Sequence, residues 1–314
     1  AYYIVLIPEI VSHARINFIT IVVIAAPLVT GVVVTFFLFK PIFARQAPAP
    51  EPPSLKREDQ PELFEFVEAL CGSLGAPAPS VISVSLDVNA SAGLRRGMRS
   101  LLHNDLRLTI GLPLVGGLSL RQFTGVMAHE FGHFSQTAGI RSWFLIQTIQ
   151  HWFARVVYDR DSWDVRLDEW REGADSWQIR ALLWVADGAV RASRAILRLL
   201  MKAGAMVSSA FSRQMEFDAD HYEAETVGAD TFAATSFALA GLSATANQSW
   251  RMLSQGWRMR KLADDFPRVV ASYWNEATTG WHEGVRAAVL EEKTERYATH
   301  PATVDRIANV RRSN

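Results

Sequence analysis

The stretch from Ala128 to His133, Ala-His-Glu-Phe-Gly-His, decides how the rest of the chain is interpreted. Residues four apart lie on one face of an α-helix, so His129 and His133 can offer two imidazole nitrogens to a single metal ion. Glu130 stands beside them, near any water bound to that metal. Two neutral nitrogen ligands and a carboxylate base are the arrangement that a zinc hydrolase needs.

The residues before this stretch predict that it lies in a helix. Residues 106–110 alternate as a short strand, and residues 111–117 predict a turn-rich break. Ser119 to Gln122 has the pattern of a capping box, which starts a helix. The apolar positions of that helix are Phe123, Val126, Met127 and Phe131. A core helix with two incidental histidines is the alternative interpretation.

A catalytic zinc site usually has a third protein ligand, and residues 213–221 offer one. They continue a helical pattern that ends at Gly228. Glu216 and Asp220 are four apart and share a helix face, so Glu216 would bind the metal and Asp220 would orient a ligand histidine. For this segment alone, two solvated acids on an amphipathic helix is an equally good interpretation.

Length and composition exclude several classes of protein. The 314 residues allow one large domain or two small ones. The 32 basic and 32 acidic side chains cancel, so no nucleic-acid partner is expected. The single cysteine, Cys71, excludes an internal disulfide and a cysteine zinc cluster, and we expect it to be a small apolar filler on a helix.

The N-terminal part has the composition of a membrane segment. Residues 16–39 are uncharged and mostly apolar, which is long enough to cross a hydrocarbon core of about 30 Å as a helix. We expect a membrane segment over 1–45 with this span inside it; a deeply buried helix is the alternative. Basic residues are more frequent after the span, so the catalytic domain is expected to face the cytoplasm. We expect the membrane to be a bacterial inner membrane.

Two boundaries follow from composition. The proline-rich residues 46–61 predict a semi-rigid linker, and residues 62–314 are expected to form the catalytic domain. That domain opens with an amphipathic helix that begins at Pro61 and ends near Gly72 to Gly75. Residues 81–86 alternate as a strand.

A Trp- and Arg-rich helical insert is predicted at about 142–211. Tryptophans recur every seven residues from Trp163 to Trp184, which makes a stripe on one helix face. The stripe predicts packing against other helices or an aromatic face at a bilayer interface. Further along, Arg191 to Lys202 carries a basic face, either solvated or in contact with anionic lipid.

Three sequence motifs together resemble those of a known family. They lie at residues 129–133, 216–220 and 299–307. Their sequence and order are similar to the HtpX and CAAX prenyl protease family of membrane zinc endopeptidases, metallopeptidase family forty-eight in the gluzincin group. Asn89-Ala90-Ser91-Ala92 also resembles the family's Asn-Ala-Phe-Ala edge strand. The chain departs from the family at Ser91, which replaces a large aromatic, and in the Trp-rich insert, which replaces transmembrane hairpins.

The resemblance implies a fold and a metal site. The fold would be mainly α with a small β-sheet (α+β), a gluzincin-type domain with an N-terminal transmembrane helix. One Zn²⁺ per chain would be held by His129, His133 and Glu216, with Glu130 as the general base. Asp220 would orient a ligand.

It also implies how a substrate binds. His300 would reach the substrate carbonyl oxygen and stabilise the oxyanion. Arg306 would pair with an acid near the site, for which Asp220 is the expected partner. Asn89, Ala90, Ser91 and Ala92 would lie along an extended substrate by strand addition.

The leading functional hypothesis is a membrane-anchored, zinc-dependent endopeptidase. Its expected partners are a protein or peptide substrate and the lipid bilayer, and its oligomeric state is left open. A zinc hydrolase of a small amide and a non-proteolytic metal-binding membrane scaffold or sensor are the alternatives. Glu130 argues against the scaffold, because a scaffold has no need of the one residue that is not a ligand.

Overall fold

The computed structural model describes residues 31, 32, 35, 51–95, 105–135, 169, 177–295 and 298–313. The chain divides into two compact units, Ala1–Pro48 with Ile146–Ala205 and Ala49–Leu145 with Met206–Asn314. The described elements are α1 Pro61–Leu74, β1 Val81–Ser85, β2 Ala90–Leu94, β3 Leu106–Gly111, α2 Leu112–Gly117, α3 Leu120–Ser135, α4 Trp177–Val227, α5 Ala229–Arg258, α6 Phe266–Asn275, α7 Thr279–Glu291 and α8 Thr303–Ser313. A mostly helical chain with a small sheet agrees with the predicted α+β class.

Within the described residues the sheet has three strands in the order β1-β3-β2, so β2 lies at an edge of this part of the sheet. β1 runs parallel to β3, and β2 runs antiparallel to it with Ala92 opposite Leu108. Both strands predicted from alternation are present. The first ends at Ser85 rather than Leu86, because the chain bends there and the Asp87 N–H turns back to the Ser85 hydroxyl.

The expected break at 111–117 is wrong, because Leu112–Gly117 forms α2. Proline near a helix start costs no hydrogen bond, and Leu114 of this helix is fully buried. Gly116 and Gly117 allow close packing of neighbouring helices. A Cβ at Gly116 would lie 3.1 Å from Ala271 Cβ, and a Cβ at Gly117 would lie 2.4 Å from Leu242 Cδ2. The glycine pair therefore indicates a close helix contact, and the sequence pattern of a turn was misleading.

The helix α3 begins as predicted. The Ser119 N–H donates to Gln122 Oε1 at 3.0 Å, and the Gln122 N–H donates to Ser119 Oγ at 3.3 Å, which closes the capping box in both directions. The predicted apolar positions are all buried, namely Phe123, Val126, Met127 and Phe131. They join one core with α1, the sheet and parts of α5 and α6.

The helix α1 also has the predicted bounds. It begins at Pro61 and ends at Leu74, where Gly75 adopts a left-handed φ of 67° that closes the helix. Cys71 on this helix is 1% exposed and is a free thiol, so it is the apolar filler expected from the sequence.

Part of the expected linker pairs with the sheet. The Leu55 N–H donates to the Ile82 carbonyl at 2.8 Å, and the Val84 N–H donates to the Pro53 carbonyl at 2.9 Å. Residues 53–55 are therefore attached to β1.

The predicted span at 16–39 lies outside the described residues except for Gly31, Val32 and Thr35, which are helical. Among the described helices, Arg194–Val227 within α4 is long and apolar enough to cross a membrane, by length and composition only. Trp177 and Trp184 of the predicted stripe are 65% and 74% exposed. Trp163 and Trp170 lie outside the described residues.

Candidate metal centre

Two helices bring the three predicted metal ligands together within the unit that contains α3. His129 and His133 project from α3, and Glu216 projects from α4. Glu216 Oε2 lies 3.6 Å from His129 Nε2, and Glu216 Oε1 lies 3.8 Å from His133 Nε2.

These spacings fit a zinc ion. One nitrogen or oxygen from each residue lies within 4.8 Å of the others. A tetrahedral zinc with bonds of about 2.0–2.2 Å separates its ligand atoms by about 3.3–3.6 Å, so a small closure of the three side chains completes the site. The donor set, two imidazoles and one carboxylate, is also one that zinc prefers in catalytic sites.

Glycines on α3 set the distance between the two helices. A Cβ at Gly132 would lie 3.0 Å from the Tyr222 side chain, and a Cβ at Gly125 would lie 3.0 Å from both Glu223 Oε1 and Val227 Cγ2. Larger residues at these positions would push α4 away from α3. The helix α3 therefore contributes to the site through the small size of Gly125 and Gly132 as well as through His129 and His133.

Asp220 contacts one predicted metal ligand and is itself held by an arginine. Its Oδ1 lies 3.2 Å from His129 Nδ1, and its Oδ2 accepts a hydrogen bond of 2.9 Å from Arg306 Nε. The Asp220 side chain is completely buried. Burial disfavours its charged form, but the hydrogen bonds from Arg306 and His129 outweigh burial and hold the pKa of Asp220 below its ordinary value.

The pKa values of the two histidines are shifted in opposite directions. Burial opposes protonation of His129, but its hydrogen bonds to Asp220 and Glu216 dominate and raise the pKa of His129 to about 10. Burial and the neighbouring His129 lower the pKa of His133 to about 4. Only a neutral imidazole binds a metal ion, so zinc binding at this site would displace the proton of His129.

Glu130 lies between the ligands and the sheet edge. Its Oε2 accepts a hydrogen bond of 3.2 Å from the Ala92 N–H. Burial raises the pKa of Glu130 to about 6, which is the range in which a carboxylate works well as a base at neutral pH.

The predicted substrate-binding segment, residues 89–92, covers the start of β2. The Gly111 N–H donates to the Asn89 carbonyl, and the Arg95 N–H donates to the Asp105 carbonyl, so residues 89, 91, 93 and 95 direct their backbone polar groups toward β3. Ala90 and Ala92 consequently direct theirs away from β3, and the Ala92 N–H reaches Glu130 of the candidate centre. Asn89 precedes the strand, and the Ser91 side chain is exposed.

His300 lies at the edge of the centre. Its Nδ1 is 2.9 Å from Glu216 Oε1, and its side chain is 70% exposed. The hydrogen bond to Glu216 raises the pKa of His300. His300 therefore contacts the carboxylate of Glu216, and its exposed side lies open to solvent.

Glu223 is a buried acid of the centre that was not singled out from the sequence. Its Oε2 lies 3.9 Å from His129 Nδ1, and its Oε1 has no hydrogen-bond partner among the described residues. Burial raises the pKa of Glu223 to about 7. The sequence does contain a signal for Glu223. Together with Glu216 and Asp220 it follows the i, i+4, i+7 spacing of one helix face.

A comparison with known protein families assigns the chain to the metallopeptidases. Residues 57–314 match the sequence profile of Peptidase family M48, which is more than half of the chain. No curated protein and no solved structure matched the chain. The chain therefore belongs to Peptidase family M48, a family of zinc metallopeptidases, and is a hydrolase that acts on peptide bonds.

Proposed function

We propose that the chain is a membrane-anchored zinc endopeptidase of the HtpX and CAAX prenyl protease type that cleaves protein substrates. The observation that carries the proposal is the convergence of His129, His133 and Glu216 beside Glu130 and the free side of β2. Histidines that only fill a helical core need not lie next to a buried carboxylate from a helix about 80 residues further along the chain.

We assign one zinc ion per chain to His129, His133 and Glu216. A zinc ion bound there would lower the pKa of a water molecule and polarise the substrate carbonyl. Glu130 accepts the proton from that water and later gives it to the leaving amine. Asp220 fixes the ring of His129, and Arg306 keeps Asp220 charged.

An extended substrate would pair with β2. Ala90 and Ala92 supply the backbone hydrogen bonds, and Asn89 and Ser91 flank them. A substrate carbonyl at the Ala92 N–H would replace Glu130 there and leave the carboxylate available for the water. His300 stabilises the oxyanion after it turns from Glu216, which its exposed position allows.

The anchoring part of the proposal is supported by the apolar run at 16–39. The membrane segment would cover 1–45 and the linker 46–61. The peptidase domain would cover 62–314, with the insert at 142–211. The charge bias around the span favours a peptidase domain in the cytoplasm. We place the span in a bacterial inner membrane as part of the proposal.

The two alternatives fit the site less well. A metal-binding scaffold or sensor has no use for Glu130, whose pKa of about 6 suits proton transfer. A hydrolase of a small amide has no use for a free strand edge beside the metal ligands.

Glu130→Gln tests the proposal. The variant keeps the shape of the side chain and the metal ligands, so we expect it to bind one zinc ion per chain and to lose casein cleavage by at least about a hundredfold. Glu225→Gln, an exposed glutamate on α4, is the matched control and should cleave casein at the wild-type rate. Wild-type turnover by Glu130→Gln, or a wild-type protein that binds no zinc, would contradict the proposal.

A further inference from the structure

The connection between α5 and α6 displays an unusual set of side chains. Residues 257–262 read Trp-Arg-Met-Arg-Lys-Leu, and we call them the α5–α6 tip. Trp257 is 69% exposed, Met259 is 66% exposed and Leu262 is 59% exposed. Large apolar side chains gathered at one exposed place mark an interaction site more often than scattered ones do.

The backbone of the tip is fixed in place. The N–H groups of Met259 and Lys261 both donate to the Gly256 carbonyl at 2.9 Å, and Arg260 has a left-handed φ of 55°. A Cβ at Gly256 would lie 2.5 Å from the Lys261 carbonyl oxygen, so the turn requires glycine at this position. This hydrogen-bonded turn therefore keeps the three apolar side chains exposed without any bound partner.

The tip is also cationic. Arg258, Arg260 and Lys261 alternate with the apolar residues, and none of them forms an ion pair within the part of the chain that the structure describes. The acids that follow most closely in the sequence are Asp264, which is exposed, and Asp265, whose side chain accepts the Arg268 N–H to cap α6. The charge of the tip thus remains available to an external anion.

The same residues shape a cavity. Trp257, Arg258, Arg260 and Leu262 line an open surface cavity of about 790 Å³. Guanidinium groups bind phosphate oxygens through paired hydrogen bonds, and indole and aliphatic side chains provide an apolar wall next to them. This combination suits a ligand that carries a phosphate directly beside hydrocarbon.

We propose that the α5–α6 tip docks on the surface of an anionic phospholipid bilayer. Trp257, Met259 and Leu262 enter the boundary between headgroups and acyl chains, where tryptophan is favoured. The three cations contact lipid phosphates and keep their charged ends in the aqueous layer. An acidic protein is a poorer occupant, because six residues of one turn supply much less than the roughly 1,200–2,000 Å² that a stable protein interface buries.

This docking surface is independent of the proposed catalysis. It lies in the unit formed by Ala49–Leu145 and Met206–Asn314, and it involves neither the 16–39 segment nor the metal ligands. A peptidase domain held by such a surface would have a defined orientation at the membrane.

The test uses the full chain with a fluorophore at the tip. Leu262→Cys carries an environment-sensitive label, and the native Cys71 is too deeply buried to react. Leu290→Cys on α7, which is 51% exposed, is the matched control position. The protein is incorporated into vesicles of phosphatidylcholine, alone or mixed with phosphatidylglycerol.

We expect the label at 262 to shift its emission to the blue, and to lose most of its quenching by aqueous acrylamide, only in vesicles that contain phosphatidylglycerol. The label at 290 should show neither change. The combined Arg258→Glu, Arg260→Glu and Lys261→Glu substitutions should abolish the effect at 262, and an unchanged circular dichroism melt would show that this variant is folded.

Three results would overturn the proposal. The first is equal quenching at 262 and 290 in anionic vesicles. The second is equal protection in neutral vesicles, since anionic lipid would then have no special part. The third is equal protection by soluble polyglutamate without vesicles, which would identify an acidic polypeptide as the partner. Each outcome can be read even if the chain cleaves no casein.

Discussion

Arg306 and Asp220 form a two-pronged ion pair beside the candidate metal centre: Arg306 Nε lies 2.9 Å from Asp220 Oδ2, and Arg306 Nη2 lies 2.5 Å from Asp220 Oδ1. Asp220 also contacts His129 Nδ1 at 3.2 Å, so one buried carboxylate joins the last helix of the chain to a predicted zinc ligand. The pair therefore links the stability of the domain to the geometry of the metal centre.

Arg306→Ala should destabilise the fold, because it leaves the carboxylate of Asp220 buried without its main partner. We expect a loss of about 3–5 kcal/mol in the free energy of unfolding, measured by denaturant titration of the metal-free protein. Arg311→Ala on the same helix is the control, since its contact with the exposed Asp230 is 3.8 Å long and should matter little. A loss of similar size in both variants would contradict the special role of Arg306.

Asp220→Asn should weaken zinc binding while it preserves the shape of the side chain. An amide cannot hold the His129 ring as a carboxylate does, and changes to such outer partners cost about 10–100-fold in metal affinity. Competition with a chromophoric chelator measures the affinity. Asp218→Asn, whose side chain accepts from Gln214 on the same helix, serves as the control. Unchanged zinc affinity in Asp220→Asn would remove the orienting role.

Gly111→Ala should displace β2 and reduce cleavage. A Cβ at this position would lie 1.9 Å from the Asp87 carbonyl oxygen and 2.5 Å from the Asn89 carbonyl oxygen, so the backbone leading into β2 must move. We expect casein cleavage to fall at least about tenfold and stability to fall by about 1–3 kcal/mol. Gly93→Ala within β2 is the matched control, because nothing lies within 4 Å of its added Cβ. Equal activity in both variants would show that the position of β2 is unimportant.

Cys71 should make the fold sensitive to alkaline pH. Burial raises the pKa of its thiol from 9.0 to about 11, so the folded state holds this proton more tightly than the unfolded state does. The resulting stability is fully present below pH 9 and is lost as the pH rises through 11.

Comparison with Cys71→Ala isolates that contribution. Between pH 8 and pH 10.5 the wild type should lose more free energy of unfolding than the variant, by on the order of 1 kcal/mol. A thiol reagent should also fail to label the native protein at pH 8 and label it fully in denaturant. Rapid labelling of the native chain would show that the thiol is accessible.

Local regularities of the sequence determined much of this protein. The capping box at Ser119 to Gln122 fixed where α3 begins, and the four-residue spacing put His129 and His133 on one face. The four-residue spacing of Glu216 and Asp220 likewise put these two residues on one face of α4. The order of the motifs led to the correct family. These features were readable because helical periodicity and capping involve residues that are near one another in the chain.

Contacts between distant segments were decided only by the tertiary structure. The glycines at 116 and 117 resembled a turn because their partners, Leu242 and Ala271, lie more than a hundred residues away. The burial of Glu223 depends on the close approach of α3 to α4, which Gly125 permits. The sequence thus determined which residues share a helix face, whereas the packing of whole helices, a sum of many weak contacts with no local signature, determined which faces meet.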